Sequence, residues 1–561
     1  MPARWLPLFF ALFLVLGSFF VAGCSSGDDD DDHQADDDTA VDDDLVDDDA
    51  VDDDADDDSV DDDTVDDDAV DDDSVDDDTI DDDSVDDDTI DDDTVDDDTV
   101  DDDAVDDDSV DDDTDTYVAP WPQSNIEVQD YNEAPGPGDR RLKAEAYDLW
   151  HEGNHQPFYG STVGVQFTDD TRTVVDHYFD IGDSCMWTGT YTAGQAFRYY
   201  VTGDEQALTN VKKMVAALDG HLHITGRPGF IARYRGPQDP LVTPSDCATD
   251  ENCHLINDGA YAGDFWIGNT SRDQYTGWFF GMVNAFDLVD DPDLRQMIAD
   301  DVTEVLDELI ANNWIIIDAD GKPTTAGPNV LSLQQYDWSL IGYHITGLDR
   351  FKEQVQKWTR DDHRIFLIID SINVLNRYLQ YYGNNLGHQN MYNLLRLGKV
   401  YLGGDDYNFL STLFDTQVHT FTRLSHNAFF NSIFMSQGLY TPSPGDAYQT
   451  QLEQDLGEFR PSPNIHYAID PETANVDPVS VFLHDLMEKY PVLQQIMGDV
   501  QVQAAEAFPV QQQCSTDFLW QRNPFSIGPC GNDDPAAVEP GVDYIVAYWM
   551  ASYHKFITKD Q

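Results

Sequence analysis

The stretch Ile181-Gly-Asp-Ser-Cys-Met-Trp-Thr-Gly-Thr-Tyr-Thr-Ala-Gly-Gln-Ala-Phe-Arg-Tyr-Tyr-Val-Thr-Gly-Asp204 decides the fold of this chain. At 3.6 residues per turn, aromatic and small side chains share its faces, which is typical of a buried helix whose neighbours approach closely. The pair Thr202-Gly203 predicts the end of this helix, and Asp204 predicts the cap of a second one. The stretch therefore predicts a helix hairpin.

The same pattern returns further along the chain. Trp187-Thr-Gly-Thr-Tyr191 is echoed by Tyr275-Thr-Gly-Trp-Phe279, and the turn is echoed by Asp290-Asp291-Pro292. Similar first helices are predicted at 331–346, 386–402, 426–437 and 541–556, and the last of these can pair with an N-terminal helix at 140–151.

Six hairpins in a closed ring would form an (α/α)6 toroid. We therefore predict an all-α domain of that architecture over residues 140–561. An open solenoid of helical repeats is the competing arrangement. The segment 349–382 is too long for one simple second helix, so seven hairpins instead of six are the alternative count.

The N-terminal segment carries an export signal. Arg4 precedes an apolar run from residue 5 to 22, which ends in Val21-Ala22-Gly23-Cys24. This ending resembles the lipobox of bacterial lipoproteins, which implies a signal peptide over residues 1–23 and acylation of Cys24. Because Ser25 rather than Asp follows the cysteine, the resemblance implies the outer membrane of a Gram-negative bacterium. A plain signal anchor is the alternative.

Residues 28–115 are almost wholly Asp triplets separated by pairs such as Thr-Val. This segment holds 54 Asp and no Lys or Arg, and so carries −54 of the formal net charge of −85. A single Val or Ile in five residues buries too little apolar surface to offset chain entropy. We predict a disordered tether over 24–116 with diffuse divalent-cation association, followed by a linker over 117–139.

The remaining residues are also acidic, which argues against a nucleic-acid partner. In an oxidising compartment, close spacing predicts disulfides between Cys247 and Cys253 and between Cys514 and Cys530. Cys185, on the central helix, is predicted to be a buried thiol rather than a nucleophile.

Several motifs together carry a family resemblance. They are Asp183 with Trp187-Thr-Gly, the segment 228–235, the stretch Gly268-Asn-Thr-Ser-Arg-Asp273-Gln-Tyr-Thr-Gly277, and Pro540-Gly-Val-Asp543-Tyr. The chain resembles bacterial six-hairpin glycosidase-like proteins. Their broader superfamily includes unsaturated glucuronyl hydrolases and N-acylglucosamine 2-epimerases. The resemblance implies the toroid and a carbohydrate-related role, but no particular reaction.

Sugar hydrolysis needs a carboxylic acid that stays protonated and a second carboxylate that activates water or stabilises an oxocarbenium ion. In a toroid the N-terminal ends of the first helices gather at one rim. Asp183 and Asp273 lie at such ends, so we predict that they form the catalytic pair, with Trp187 and Tyr275 as apolar walls. Each Asp could instead be an ordinary helix cap.

Further residues are candidates for binding a sugar chain at this rim. Arg233 and Arg235 alternate on one extended segment and would suit a uronate carboxylate, although ion pairs within the domain are the alternative. The substrate-binding candidates are Arg233, Arg235, Trp187, Tyr275, His426, Trp520 and Asp543.

No metal or cofactor is expected from the motifs. The sequence has one His-x3-His spacing, His151 to His155, but no further Cys or His clustered with it, no phosphate loop and no nucleophile elbow in the predicted domain. The expected partner is an oligosaccharide or polysaccharide, and the expected activity is glycoside hydrolysis. The alternatives are a non-catalytic glycan-binding or scaffold protein, and a lyase or epimerase that uses a Tyr or His as base.

Overall fold

The structure is a computed structural model of the 561-residue chain. It describes residues 139–371, 377–378, 381–438, 440, 447–465, 475–492, 494, 500–513, 523–527 and 534–557. All of them belong to one compact unit. The predicted signal peptide, Cys24, the tether, most of the linker and both Cys514 and Cys530 lie outside these ranges.

The described part of the chain is mainly helical, as the sequence predicts. Its α-helices are α1 (Arg140–Asn154), α2 (Ser184–Thr202), α3 (Glu205–His223), α4 (Arg272–Leu288), α5 (Pro292–Ala311), α6 (Ser332–Thr346), α7 (Asp349–Trp358), α8 (Asp361–Asp370), α9 (Gly383–Tyr401), α10 (Gly404–Leu413), α11 (Ala428–Ser436), α12 (Ala447–Glu458), α13 (Pro478–Lys489) and α14 (Val542–Tyr553).

Six of these helices pack in sequence and return to the start. We call α2, α4, α6, α9, α11 and α14 the inner helices; each contacts the next, and α14 contacts α2. Neighbours run parallel, because early residues meet early residues and late ones meet late ones: Thr276 bonds to Gln334, and Phe286 packs on His344. Their N-terminal ends therefore lie on the same side.

The remaining helices of the hairpins pack outside this set. Helix α3 contacts α2, α5 contacts α4 and α6, α7 contacts α6, α10 contacts α9, α12 contacts α11, and α1 contacts α14. The long segment after residue 349 forms two short helices, α7 and α8, and α13 is an additional helix that the hairpin pattern did not predict.

The closest inner contact is between α2 and α4, and it depends on glycine. A Cβ added to Gly189 would lie 2.0 Å from the carbonyl oxygen of Gly277, and one added to Gly281 would lie 2.6 Å from that of Gly189. Only hydrogen at these positions lets the two backbones touch. The glycines of the repeated Thr-Gly pair, Gly189 and Gly277, therefore form this contact between the two helices.

The predicted hairpin turns are largely confirmed. Gly203 ends α2 in the left-handed conformation with φ of 67°, and Asp204 caps α3 by accepting from the N–H of Gln206. Asp291 caps α5 in the same way. Helix α7 differs from these two, because Leu348 occupies its cap position and Asp349 is its first helical residue.

Two small antiparallel sheets correct the all-α expectation. One sheet has the order β2 (Val175–Phe179), β1 (Gly164–Phe167), β6 (Ala537–Val538), and the other has the order β3 (Tyr234–Pro237), β5 (Asp264–Ile267), β4 (Cys253–Leu255). The second sheet is built on the insertion between α3 and α4. The disulfide between Cys247 and Cys253 closes that insertion, as predicted.

The two ends of the domain pack on each other. Tyr147 of α1 lies 5.1 Å from Tyr544 of α14 between ring centroids, and the Tyr544 hydroxyl donates to the carbonyl of Arg140. The expected pairing of the N-terminal helix with the last inner helix is therefore present. Among the described residues, no helix combines the length and apolar character needed to cross a membrane.

The glycine contact predicts a strong and position-specific effect on stability. We expect Gly189→Ala to lower the free energy of unfolding by about 1–3 kcal/mol, because the new methyl group must push α4 away. Urea unfolding followed by circular dichroism measures this change.

Gly457→Ala is the matched control, because Gly457 is also helical but has nothing within 4 Å of an added Cβ. It should be neutral or stabilising by up to about 1 kcal/mol. Equal effects of the two substitutions would contradict the close backbone contact.

Candidate functional site

Asp183 lies at the N-terminal end of α2 but does not act as its cap. It occupies the cap position, yet its side chain makes no capping hydrogen bond to the helix. Its carboxylate Oδ1 instead accepts a hydrogen bond of 2.8 Å from the Gln274 side chain. With 39% of its side chain exposed, Asp183 can meet a ligand from solvent.

Gln274 holds Asp183 in place. This buried residue of α4 donates through Nε2 to Asp183, and its Oε1 accepts from the backbone N–H of Met186 at 3.0 Å. One amide group thus satisfies a first-turn N–H of α2 and orients the carboxylate beside it. A glutamate could not serve both partners, because its ionised carboxylate has no donor.

Asp273 is the second residue of α4 and lies close to Asp183. Burial raises the pKa of its carboxyl, the cations Arg272 and Arg233 lower it, and the negative charge of Asp183 raises it. The net direction is upward, which favours the protonated form. Asp273 is not the cap of α4, since Ser271 holds that position.

Arg233 connects the segments that precede α2 and α4. Its Nε donates to the carbonyl of Asn269 at 3.0 Å, and its Nη1 donates to that of Gly182 at 3.0 Å and lies 3.8 Å from Asp183 Oδ1. The guanidinium therefore fixes the positions from which both carboxyl groups project. It also places positive charge between them.

Asn269 anchors the neighbouring loop over the same rim. Its backbone is left-handed with φ of 50°, and its side-chain oxygen accepts from the Thr324 hydroxyl at 2.6 Å and from the N–H groups of Thr325 and Ala326. Its own N–H donates to Asp318 at 2.9 Å. Strained residues that are held in this way cluster at functional sites.

Polar side chains continue from this rim into the space between the inner helices. Gln389 of α9 donates to the Thr190 hydroxyl of α2 at 3.2 Å, although these helices are not neighbours in the inner set. The Gln389 Oε1 is buried and makes no hydrogen bond within the described ranges.

Deeper between the inner helices the packing is aromatic. Phe280 of α4 lies 5.9 Å from Tyr392 of α9 and 6.1 Å from Phe429 of α11 between ring centroids, and Phe197 of α2 lies 6.2 Å from Tyr392. These side chains fill the interior. A ligand would therefore be bound at the N-terminal rim rather than along the whole axis.

Three predicted site residues lie away from the rim surface. Trp187 and Tyr275 are almost fully buried, and the Tyr275 hydroxyl donates to the carbonyl of Gly229. Arg235 is bound by Asp264 through two hydrogen bonds of 3.1 and 2.9 Å and packs between the rings of Tyr159 and Tyr261. Arg235 therefore forms an ion pair within the domain, which was the alternative to uronate binding.

The other predicted candidates have partners of their own. His426, just before α11, bonds through Nδ1 to the buried Asp455 of α12 at 2.8 Å, and Asp543 lies 3.6 Å from the buried Arg460. Cys185 is a free buried thiol, and burial raises its pKa, so it is not a nucleophile. Trp520 lies outside the described residues.

Sequence reasoning found the two carboxyl groups but missed Gln274 and Asn269. Both lie inside the quoted stretch 268–277, so the segment was recognised while its amides were not. A glutamine next to a candidate acid at a helix start is the signal that could have indicated Gln274. No local pattern shows that Asn269 binds residues more than 50 positions away.

The double role of Gln274 leads to a prediction on stability. We expect Gln274→Ala to lower the free energy of unfolding by about 1–3 kcal/mol, because it leaves the Met186 N–H and the Asp183 carboxylate without this partner. The exposed helical residue Gln296, which bonds only within its own helix in the described structure, is the control. Gln296→Ala should change stability by less than about 0.5 kcal/mol; equal losses in urea unfolding would contradict the bridge.

No protein-family model, curated protein or solved structure matches the chain. The chemistry of this rim must therefore be argued from its own residues. Those residues are two adjacent carboxyl groups in unlike surroundings, an amide that orients one of them, and a guanidinium beside both.

Proposed function

We propose that the chain is a glycoside hydrolase in which Asp273 is the general acid and Asp183 is the general base or nucleophile. The observation that carries the proposal is the unlike surroundings of the pair: burial raises the pKa of Asp273, whereas the partly exposed Asp183 accepts a hydrogen bond from Gln274. Acid–base cleavage of a glycosidic bond requires two neighbouring carboxyl groups, one of which keeps its proton.

In this mechanism each residue of the rim has a defined part. The Asp273 carboxyl donates its proton to the glycosidic oxygen as the bond to the anomeric carbon breaks. Asp183 either takes a proton from the attacking water or attacks the anomeric carbon itself. Arg233 and Gln274 hold Asp183 at a fixed position, which avoids reorganisation in the transition state.

The proposed scaffold is an (α/α)6 toroid. Its support is the order of contacts, in which six parallel inner helices meet in sequence, the last contacts the first, and an outer helix covers each. An open solenoid would leave α14 and α2 apart. The proposed setting is a lipoprotein anchored through Cys24 in the outer membrane.

The proposed substrate is an oligosaccharide that contains uronic acid. The support is a pair of guanidiniums, those of Arg233 and Arg272, which both lower the pKa of Asp273 and so form a cationic patch beside it. Arg272 also donates to the carbonyl of Asn329, which keeps it over the rim. A carboxylate on the sugar would be attracted to this patch.

The test uses the full chain with a panel of plain and uronate-containing oligosaccharides, followed by the release of reducing ends. We expect Asp273→Asn and Asp183→Asn to lower kcat by about 100-fold or more while circular dichroism stays unchanged. Asp170→Asn, at an exposed loop position, is the control and should retain activity. Glycan binding without turnover that persists in both rim variants would instead identify a binding protein.

The pH profile gives a second readout of the same assignment. If Asp273 is the acid, activity must fall as the pH rises through its raised pKa, because the ionised form has no proton to donate. The charge of Asp183 raises that pKa, so the alkaline limb of the residual activity should move to lower pH in Asp183→Asn. A limb that stays in place would exclude Asp273 as the acid.

A lyase or epimerase is the second candidate, and the pair His426–Asp455 favours it. A histidine whose Nδ1 is held by a buried carboxylate at 2.8 Å, at the start of an inner helix, has the arrangement of an acid–base group. If the chain is a lyase, uronate substrates would give a rise in the absorbance of the unsaturated product, whereas an epimerase would convert the sugar into its epimer without that rise. His426→Gln would abolish this rise, whereas a hydrolase would show no such absorbance.

A further inference from the structure

Two aspartates and one histidine converge between the outer helices of the first two hairpins. Asp219 and His223 are one turn apart in α3, and Asp301 projects from the middle of α5. The imidazole Nε2 lies 3.2 Å from Asp219 Oδ1 and 3.3 Å from Asp301 Oδ1. The three candidate ligand atoms all lie within 4.8 Å of one another.

The state of Asp301 distinguishes this cluster from an ordinary surface ion pair. Its side chain is only 4% exposed, and its Oδ2 makes no hydrogen bond to any residue in the described ranges. A buried carboxylate oxygen without a partner is costly. Because Oδ2 belongs to the same carboxylate that faces His223, a cation between the three side chains could use it as a further ligand.

The charges of the surrounding groups also favour a cation. Glu304 lies close enough to Asp301 to act on its carboxyl, so a further acidic side chain borders the cluster. A divalent ion bound to the neutral imidazole would supply two positive charges against the two carboxylates of Asp219 and Asp301.

The insertion between α3 and α4 completes the surroundings. Tyr261 lies close enough to Asp219 and Asp301 to interact with their charges. The Arg235 guanidinium packs over the Tyr261 ring at 4.6 Å from its centroid. Arg235 does not replace the missing positive charge, because its guanidinium donates twice to Asp264. The cluster thus keeps its excess of negative charge.

We propose that Asp219, His223 and Asp301 form a binding site for a divalent transition-metal ion of the zinc class. One imidazole nitrogen with carboxylate oxygens suits Zn²⁺ and similar ions better than Ca²⁺ or Mg²⁺, which take oxygen ligands. The ion would join α3 to α5 and so fasten the outer layer of the first hairpin to that of the second. Its role is structural, and it does not depend on the proposed hydrolase.

The test measures thermal unfolding of the full chain in metal-free buffer, with Zn²⁺ or Ca²⁺ added, by circular dichroism. An ion that binds only the folded state raises the unfolding midpoint in proportion to the logarithm of its concentration. We expect Zn²⁺ to raise the midpoint of the unmodified chain, and His223→Asn to abolish the rise by weakening Zn²⁺ binding at least about 100-fold. Asp301→Asn should do the same.

Asp300→Asn is the matched control, since it removes an exposed carboxylate from the neighbouring position of α5 and should keep the full response. All variants retain the Asp triplets, so cation association with that segment is the same in each. Absence of a Zn²⁺ response in the unmodified chain, or an equal response in His223→Asn, would overturn the site. His223 is partly exposed, so this variant decides the question even if Asp301→Asn does not fold.

Discussion

The direct contact of two helix backbones at Gly189, Gly277 and Gly281 is the constraint on which the rest of the arrangement depends. Since no side chain separates α2 from α4 there, the first turns of both helices lie side by side. That proximity lets the Gln274 amide reach both Met186 and Asp183. The packing of two glycine faces therefore also positions the carboxyl pair.

A buried polar network joins the beginning and the end of the domain. Asp148 of α1 accepts from Gln195 at 2.6 Å and from the Trp549 indole at 2.9 Å, and Arg198 lies 3.3 Å away. Burial raises the pKa of Asp148 to about 6, so its ionised form depends on these partners. Removing one partner would leave the Asp148 carboxylate buried and incompletely paired. This costs far more free energy than replacing the whole network by apolar side chains. The network therefore links α1, α2 and α14 specifically.

The domain uses aspartate for two different purposes at the two ends of its hairpins. At the turns, Asp204 and Asp291 cap the second helices through bonds to backbone N–H groups. At the opposite rim, the Asp183 side chain makes no capping bond and instead accepts from Gln274, and Ser271 rather than Asp273 holds the cap position of α4. The difference lies in the side-chain partners, since the residue type is the same.

The sequence by itself determined most of the inner helices, the first hairpin turns, the pairing of the domain's two ends and the disulfide of the insertion. These features depend on local rules: a period of 3.6 residues, the left-handed conformation that Gly203 permits, and short cysteine spacing. It also indicated Asp183 and Asp273, because both lie at predicted helix starts.

Only the tertiary structure decided what each polar side chain contacts. Arg233 and Arg235 are indistinguishable in sequence, yet one lies beside Asp183 and the other is bound to Asp264. The cluster of Asp219, His223 and Asp301 does not form a recognisable sequence motif, because Asp301 comes from another hairpin 78 residues after His223. Burial, charge and ligand geometry arise between elements distant in the chain, so no local pattern could have contained them.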